Sequence, residues 1–345
     1  MKKILILLLV GTFFISGCLK IGSTPPPAVV GIFKSFDGGE TWIERNLFLY
    51  SGGTGSMNTV SVKEFVFDPQ DANAIYLMSK GNGLFYSYDS GDSWQKAQGV
   101  GDIVVESVAI DPTNKCTIYV TRANTILKSI DCNRSWSEVF IDTRADKLVT
   151  ALAVDHFDSR VVYAGNSAGD ILKSLDGGIN WRVVNRINNP IKKFLIDPND
   201  SRIIYIATQS AGLFKTISAG ADWFDINDGL KPYSGSTEYK ELIFDSTGVD
   251  SLMLVSKYGL LKTTDGGTTW QPLTLITPPA TTDIFSVAIS PANGQEIYYA
   301  TASTFYKTFD GGENWVTKRL PSSGVAEYIL IHPLQPNIIF MGMSN

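Results

Sequence analysis

The stretch KSLDGGINW, from Lys173 to Trp181, decides the fold of this chain of 345 residues, because seven related copies of it occur along the sequence. The shared pattern is Ser/Thr-x-Asp-x-Gly-x-x-Trp, and all seven tryptophans close a copy. Successive copies lie roughly 42 to 52 residues apart, which is typical of repeat architectures. The defining residues of the copies are Ser35, Asp37, Gly39 and Trp42; Ser87, Asp89, Gly91 and Trp94; Ser129, Asp131, Asn133 and Trp136; Ser174, Asp176, Gly178 and Trp181; Thr216, Ser218, Gly220 and Trp223; Thr263, Asp265, Gly267 and Trp270; and Thr308, Asp310, Gly312 and Trp315.

The residue types of this motif are those of a tight turn between two strands. The Asp carboxylate can accept hydrogen bonds from the amides that follow it, and the Gly two positions later can adopt a positive φ. Two departures keep this chemistry, because Asn133 tolerates a positive φ and Ser218 still offers an oxygen acceptor. The final Trp predicts a large side chain buried on its own sheet, so we expect Trp181→Ala to cost about 3 to 5 kcal/mol.

A second repeat precedes each motif and supplies further strands. An apolar run ends in Asp-Pro or a variant, as in Phe65 to Pro69 and Phe194 to Pro198, and a second apolar run, commonly with a Tyr, follows. A third short run leads into the motif, and a fourth begins at the Trp. Four short antiparallel strands in roughly 45 residues are typical of a propeller blade, so the sequence predicts an all-β fold.

The two ends of the chain predict how the ring closes. The sequence begins its repeats with a third strand, residues 28–35, and ends them with a first and a second strand, residues 328–342. One blade is therefore expected to combine both termini, which gives seven complete blades and leaves no open sheet edge. The alternative of six blades and a spare hairpin would leave these end segments without partners.

The motif resembles the Asp-box, or BNR repeat, and the resemblance covers nearly the whole chain after its first residues. This superfamily of propellers includes sialidases, xyloglucan-cleaving glycoside hydrolases, sortilin-type receptors and the photosystem II assembly factor. The resemblance implies a seven-bladed ring, but it does not imply one activity, because a fold hosts many functions. In such propellers the motif Asp residues lie on the periphery of the face opposite the usual binding mouth, so we expect a structural role for them.

The first residues resemble a bacterial lipoprotein signal. Lys2 and Lys3 precede an apolar run that ends before Gly17 and Cys18, and about 12 apolar residues are too few to span a bilayer comfortably. We expect residues 1–17 to be a signal peptide, Cys18 to carry lipid, residues 18–27 to form a Pro-rich tether and residues 28–345 to form the propeller. An ordinary signal peptide that ends near a Cys is the alternative. Leu19 after the Cys fits export to an outer membrane, on its periplasmic side or at the cell surface.

The net charge narrows the possible partners. A net charge of -5 argues against nucleic acid as the main partner, and the body is expected to be monomeric.

The cysteines and histidines have structural explanations. Cys116 and Cys132 fall at the same end of neighbouring strands, so an exported chain could join them in a disulfide, with two free thiols as the alternative. His156 and His332 occupy positions of the Asp-Pro turn. We predict no metal, cofactor or catalytic residue.

A binding face is expected at the mouth of the ring, built from loops between blades and from the position before each first strand. Residues 44–60 and 225–240 are the long loops, and the position before each strand holds Glu64, Ser107, Ala151, Lys193, Glu241, Ser286 and Tyr328. We expect Ala substitution of Tyr233 and Tyr239 to weaken partner capture without lowering the melting temperature. The predicted binding residues are Arg45, Tyr50, Glu64, Arg122, Arg186, Lys193, Tyr233, Tyr239, Glu241 and Tyr258.

Two functions fit these features. The first is a lipid-anchored, non-catalytic propeller that binds or assembles a protein outside the cytoplasm. The second is a carbohydrate-binding or glycoside hydrolase-like propeller, for which two carboxylates must face each other across the scissile bond. Glu64 and Glu241 come from distant blades, and the arginine cluster of sialidases and the Thr-Asp-Val-Gly-Gly stretch of xyloglucanases are absent from the sequence.

Overall fold

The repeats fold into seven antiparallel sheets of four strands each. The computed structural model describes residues 29–345, so the predicted signal peptide, the tether and Cys18 lie outside the described residues. The strands are β1 (Gly31–Ser35), β2 (Ile43–Glu44), β3 (Leu47–Tyr50), β4 (Gly53–Ser56), β5 (Val62–Asp68), β6 (Asp71–Ser79), β7 (Leu84–Ser87), β8 (Gln95–Lys96), β9 (Val108–Ile110), β10 (Ile118–Arg122), β11 (Thr125–Ser129), β12 (Ser137–Ile141), β13 (Val149–Val154), β14 (Val162–Asn166), β15 (Asp170–Ser174), β16 (Arg182–Arg186), β17 (Ile191–Ile196), β18 (Ile204–Thr208), β19 (Leu213–Thr216), β20 (Phe224–Asp225), β21 (Tyr239–Phe244), β22 (Leu252–Ser256), β23 (Gly259–Thr263), β24 (Gln271–Pro272), β25 (Ser286–Ser290), β26 (Asn293–Ala300), β27 (Thr304–Thr308), β28 (Val316–Arg319), β29 (Val325–Ile331) and β30 (Ile339–Ser344).

Six blades follow the chain in order, and the last blade combines both ends. Blades 1 to 6 are β5–β8, β9–β12, β13–β16, β17–β20, β21–β24 and β25–β28, and blade 7 has the strand order β2-β1-β30-β29. The first strands of most neighbouring blades contact one another around the centre. The predicted seven-bladed propeller, closed by a shared blade, is confirmed. Outside the blades lie the β3–β4 hairpin and one 3-10 turn, Asp228–Leu230.

The core lies between blades, because one face of each sheet packs on the next sheet. Phe65 of blade 1 is 1% exposed and packs with Ile32 and Phe340 of blade 7 in one apolar cluster. Equivalent clusters join the other neighbours, for example Tyr163 of blade 3 with Phe194 of blade 4. Burial on both faces explains why the inner strands read as continuous apolar runs.

The Asp of the Asp-Pro turn is a local acceptor. The Oδ1 atom of Asp197 accepts the amide of Asn199 at 2.8 Å, and the Asp68 and Gln70 pair repeats this bond at 2.8 Å. His332 occupies the same position in blade 7, and its Nδ1 accepts the amide of Leu334 at 3.2 Å. His332 therefore replaces the turn-forming Asp, as its place in the repeat predicts.

The Asp-box turns follow one hydrogen-bond pattern. In the first copy the Ser35 hydroxyl donates to Asp37 at 2.7 Å and accepts the Gly39 amide at 2.8 Å. The Asp37 Oδ1 accepts the Thr41 amide at 2.9 Å, and bonds from Thr41 help to lower the pKa of Asp37 to about 2. Gly39 has a φ of 80°, a region that favours glycine. The carboxylate is therefore charged and engaged in its own turn.

The two atypical copies keep this geometry. Asn133 has a φ of 67°, and its amide donates to the Ser129 hydroxyl at 3.1 Å, as the Gly amide does elsewhere. Ser218 replaces the Asp, and its hydroxyl accepts the Asp222 amide at 3.0 Å. One hydroxyl oxygen thus replaces a carboxylate oxygen without loss of the turn.

Burial of the motif tryptophans is less uniform than the sequence predicts. Trp94 is 0% exposed and Trp270 is 3% exposed, whereas the other five are only partly buried. Trp181 belongs to the partly buried group, so the expected 3 to 5 kcal/mol for its replacement is too large, because that range applies to fully buried side chains. The tryptophans differ in burial because of residues outside the motif, namely the two long loops that cover Trp94 and Trp270.

Cys116 and Cys132 form a disulfide between the two turns of blade 2. The bond closes a loop with a sequence separation of 16 residues. In the chain-entropy account of disulfides, a loop of this size contributes about 3 kcal/mol to the free energy of unfolding. We expect the Cys116→Ser, Cys132→Ser double variant to lose about that amount in urea denaturation, and the unmodified chain to show a similar loss under reducing conditions. Equal stability of the oxidised chain and the double variant would contradict this.

Candidate functional site

Each blade presents two turns at one face of the ring and a hairpin at the other. The turn between the first and second strands lies beside the Asp-box turn, because an amide of one donates to a carbonyl of the other, from Gly177 to Arg160 at 2.8 Å and from Ser90 to Asn73 at 2.9 Å. The first strands therefore begin at the opposite face, beside the hairpins between second and third strands. We call this opposite face the mouth. The motif Asp residues lie away from it.

Two successive positions of the repeat line the mouth. We call Lys63, Glu106, Thr150, Lys192, Lys240, Phe285 and Glu327 the upper ring, and all seven line one cavity of about 290 Å³. The next residue of each blade forms the lower ring, which is Glu64, Ser107, Ala151, Lys193, Glu241, Ser286 and Tyr328. From the lower ring, Glu64, Lys193, Glu241 and Tyr328 line the same cavity.

A β-bulge explains why adjacent residues of a strand both reach the mouth. Successive side chains of a regular strand point to opposite faces of the sheet. In five blades, however, the pairing of the first with the second strand skips one residue, and that residue belongs to the upper ring. The skipped residues are Lys63, Thr150, Lys192, Lys240 and Glu327. A bulge re-aims side chains in this way and is common beside functional sites.

Most upper-ring charges are neutralised by neighbours. The Lys63 ammonium donates to Glu106 of the next blade at 2.8 Å. Glu327 accepts from Lys80 at 2.5 Å, and Lys240 pairs with Asp283. Because these pairs are partly exposed, each contributes at most about 1 kcal/mol to stability. Their main effect is to hold the charged groups in place around the cavity.

The lower ring contains an ion pair that crosses the centre of the propeller. Lys193 of blade 4 donates to Glu64 of blade 1, and their side chains are 27% and 17% exposed. Burial lowers the pKa of Lys193, but the adjacent Glu64 carboxylate outweighs that effect and raises it. The Lys193 ammonium therefore stays charged across the channel.

Glu241 is the most buried acid of the mouth. The residue is 6% exposed, and its Oε2 atom accepts a hydrogen bond from the Val287 amide of blade 6 at 3.0 Å. Its Oε1 has no hydrogen-bond partner among the described residues. Burial raises the pKa of Glu241 to about 8, against the opposing effects of the Val287 amide and Lys193. At neutral pH this carboxyl is mainly protonated.

This raised pKa predicts a pH-dependent effect of Glu241→Gln. The folded chain must take up a proton at Glu241 between the ordinary pKa of 4.5 and about 8, so stability falls as pH rises through that window. Gln keeps the acceptor for the Val287 amide but needs no proton. We expect the free energy of unfolding of the variant to equal that of the wild type near pH 4. At pH 9 we expect it to be larger by at least about 1.4 kcal/mol, which corresponds to one pKa unit. Urea unfolding at both pH values measures this, and a constant difference would contradict it.

A second, less polar cavity continues from the mouth into the channel. It has a volume of about 490 Å³ and shares Glu64 and Lys193 with the mouth cavity. Val66 and Leu195 line its walls, and Pro69 lies at the end near the Asp-box face. The Glu64–Lys193 pair thus separates a charged entrance from an apolar channel.

Four of the ten predicted binding residues meet at the mouth, and six do not. Glu64, Lys193, Tyr239 and Glu241 line the mouth cavity. The other six contribute no side chain to it, and they are Arg45, Tyr50, Arg122, Arg186, Tyr233 and Tyr258.

The three arginines of the second group form ion pairs with neighbouring acids. Arg45 pairs with Asp92 at 3.0 Å, beside an Asp-box turn. Arg122 pairs with Glu138 at 3.1 Å, and Arg186 pairs with the buried Asp170 at 2.8 Å. Each of these ion pairs is local, and none of the three arginines lines the mouth cavity.

The long loops cover tryptophans, and only Tyr239 and Lys240, at the end of the second loop, line the mouth cavity. Residues 44–60 form the β3–β4 hairpin, which carries the exposed Tyr50, and Leu49 donates its amide to the Trp94 carbonyl at 2.8 Å. Residues 225–240 pack Leu230 and Tyr233 in one cluster with Trp270. Each loop therefore buries the motif Trp of the blade that follows it.

Tyr233 and Tyr258 belong to this packing. Their ring centroids are 5.1 Å apart, and the Tyr233 hydroxyl donates to the Trp270 carbonyl at 2.7 Å. Replacing Tyr233 by Ala would remove a packed ring and a partly buried hydrogen bond, so from the structure we expect this substitution to lower the melting temperature. Tyr239 alone keeps the predicted place at the mouth.

The upper ring is the part of the site that the sequence did not reveal. The repeat alignment locates the lower ring, and alternation then predicts that the preceding residue points away from the mouth. A signal was present, since three of the seven preceding residues are Lys and two are Glu. Only the bulges show that these charges face the cavity.

Metal sites and membrane-spanning helices were sought within residues 29–345. In this part of the chain no group of three or more His, Cys, Asp and Glu side chains is arranged to hold a metal ion. No helix in it has the length and apolar character that a membrane crossing needs.

Solved structures of other proteins share this fold. The chain superposes on the GH74 enzyme of Niastella koreensis with a TM-score of 0.67 at 18% identity, over 83% of this chain and 52% of the enzyme. It superposes on YCF48 bound to D1 peptide with a TM-score of 0.64 at 16% identity, over 83% of this chain and 93% of YCF48. This chain has their propeller fold. At these identities the likeness shows the fold alone.

Sequence comparison gives a weaker and partial match. A xyloglucanase of Paenibacillus is 26% identical over 195 residues, which is 45% of this chain and 19% of the enzyme. No protein-family model matches the chain. The chain thus spans about a fifth of this relative's length and about half of the GH74 enzyme's length.

Proposed function

We propose that this protein is an exported, membrane-anchored and non-catalytic propeller that binds a polypeptide through its mouth. The observation that carries the proposal is the mouth itself, where charged and tyrosine side chains from different blades converge on one cavity. Tyrosines supply contact area at little entropic cost, and rigid blades hold them in place. Anchoring through lipid on Cys18 is part of the proposal and rests on the lipoprotein-like first residues.

The likeness to YCF48 supports a binding role. The solved structure of YCF48 bound to D1 peptide is matched over 93% of its chain. The GH74 enzyme is covered over only 52% of its length. The present chain therefore corresponds to about half of that enzyme's fold.

The charged pairs of the mouth also favour binding over catalysis. Glu64 is neutralised by Lys193, and the Oε2 atom of Glu241 is engaged with the Val287 amide at 3.0 Å. A glycosidase needs one carboxylate free to act as base or nucleophile on the sugar. Glu64 and one oxygen of Glu241 are instead held by the protein.

Photo-crosslinking in native cells tests the proposal. Benzoylphenylalanine replaces Phe285 in the upper ring, and the matched control replaces Phe157, which is 65% exposed on the opposite face. We expect a protease-sensitive adduct from position 285 and none from position 157. Absence of an adduct at 285, or equal adducts at both positions, would contradict a polypeptide-binding mouth.

Carbohydrate binding or cleavage is the second candidate. The partial match to the Paenibacillus xyloglucanase favours it, and a protonated Glu241 in the same cavity as Glu64 offers an acid beside a carboxylate. Xyloglucan oligosaccharides would then bind to the wild-type chain and be cleaved by it, and Glu241→Gln would abolish cleavage. A glycosidase-sensitive adduct at position 285 would point in the same direction.

A further inference from the structure

Lys192 differs from the other charged residues of the mouth. Among residues 29–345, Lys63, Lys80, Lys193 and Lys240 each pair with an acid, but Lys192 makes no ion pair. It is the bulged residue of β17 and lines the mouth cavity. The mouth therefore carries a cation whose charge the described chain does not neutralise.

Glu241 supplies a second unused group to the same cavity. The residue is 6% exposed, and its Oε1 has no hydrogen-bond partner in the described part of the chain. A buried polar atom without a partner destabilises the fold. Because Glu241 lines the cavity, a group bound there is placed to complete the bonding of its carboxyl.

We propose that the mouth binds one carboxylate group of a polypeptide, held by the Lys192 ammonium and by the unpartnered end of the Glu241 side chain. This deepens the proposed function and rests on it. The cavity, about 290 Å³, is at the lower end of the roughly 300 to 1,000 Å³ range of small-ligand sites. That volume suits a single side chain or chain terminus.

The charge balance of the mouth selects a monoanion. Four lysines are matched by Glu64, Glu106, Glu327 and Asp283, which leaves Lys192 as the one unmatched charge when Glu241 is protonated. A carboxylate would neutralise that charge completely. A phosphate dianion would leave one negative charge beside Glu64 and Glu327, so we expect it to bind less well.

The Glu241 side chain makes binding dependent on pH. Below its pKa of about 8 it can donate a hydrogen bond to a ligand carboxylate, and above that pH it becomes a like charge. The titratable groups facing it are Lys193 of β17, Glu64 of β5, Tyr328 of β29 and Tyr239 of its own strand, while β25 contributes the Val287 amide and Lys192 of β17 lines the same cavity. Burial holds the pKa of both tyrosines well above the ordinary value, so they stay neutral through this range.

The test uses defined probes and the whole chain. Acetyl-tetraalanine with a free carboxylate, its carboxamide, glucuronate and inorganic phosphate are titrated by NMR at pH 6.5 and pH 9.5. The variants are Lys192→Gln, Glu241→Gln and a control, Lys115→Gln, whose residue pairs with Asp71 on the opposite face at 3.4 Å. Urea unfolding of each variant at pH 6.5 checks that it remains folded.

We expect the free peptide to bind at least about tenfold more tightly than its carboxamide, and Lys192→Gln to remove that preference, since a charge-assisted bond is lost. We expect Lys115→Gln to leave the preference for the free carboxylate unchanged. Raising the pH to 9.5 weakens the wild type severalfold but does not weaken Glu241→Gln. Equal binding of acid and amide, or an undiminished preference in folded Lys192→Gln, would overturn the carboxylate site.

The remaining outcomes separate this inference from the proposed function. A polypeptide adduct at position 285 together with no carboxylate preference would retain the proposed function and refute the site. Glucuronate binding tighter than the peptide would refute the polypeptide source and support the carbohydrate candidate. Phosphate binding tighter than either would refute the monoanion argument.

Discussion

Replacement of Trp94 by Ala is expected to lower the free energy of unfolding by about 3 to 5 kcal/mol, the range for a fully buried aromatic side chain. Trp94 is 0% exposed, and its Nε1 donates to the Arg45 carbonyl at 2.9 Å. Its ring lies 6.1 Å from that of Phe65 in the cluster that joins blades 7 and 1. The substitution would leave a cavity and an unpaired carbonyl, and urea denaturation measures the loss.

Trp181→Ala is the matched control. Trp181 ends the same motif, but it is only partly buried, and its Nε1 donates within its own turn to the Gly178 carbonyl at 3.0 Å. No long loop covers it. We expect a loss below about 3 kcal/mol, under the range for complete burial. Equal losses for Trp94 and Trp181 would mean that loop coverage does not determine their contribution.

Deletion of residues 339–345 is expected to abolish folding of the chain. This segment contains β30, which pairs with β1 on one side and with β29 on the other. Ile339, Phe340, Met341 and Met343 are each 0% exposed. Burial of one such side chain contributes roughly 1.5 to 3 kcal/mol, so their loss is comparable with a total stability of about 5 to 15 kcal/mol.

Circular dichroism and proton NMR test this deletion. We expect the truncated chain to lose dispersed amide signals and cooperative unfolding, because blade 7 would be split and the ring left open. Removal of the exposed Asn345 alone is the control and should leave both signals intact. A cooperatively folded truncation would indicate that six blades suffice and that closure by β30 is dispensable.

The sequence predicted only part of the candidate site. The repeat alignment located Glu64, Lys193 and Glu241, because residues at one position of a propeller repeat occupy equivalent places around the ring. It did not show that Glu64 and Lys193 touch across the centre, since pairing of residues 129 apart depends on the diameter of the channel. The upper ring was missed because bulges break the two-residue alternation on which the prediction relied.

The role of the long loops could not be predicted from the sequence. Their length and their tyrosines favoured a binding role, yet residues 44–60 and 225–240 pack against Trp94 and Trp270. Tyrosine suits an interface and a packed loop equally well, because it combines a large apolar ring with one hydroxyl. Which use applies depends on the neighbouring blade, and that neighbour is not adjacent in the sequence.

The sequence by itself determined the turns, the four-stranded repeat, the number of blades and the closure of the ring. These features depend on local chemistry, namely an Asp or Ser acceptor, a residue with positive φ and a strict order of apolar runs. The tertiary structure alone decided which tryptophans are buried, which charges pair across the channel, and that Lys192 and Glu241 share one cavity. These features depend on distances between blades, which no local pattern encodes.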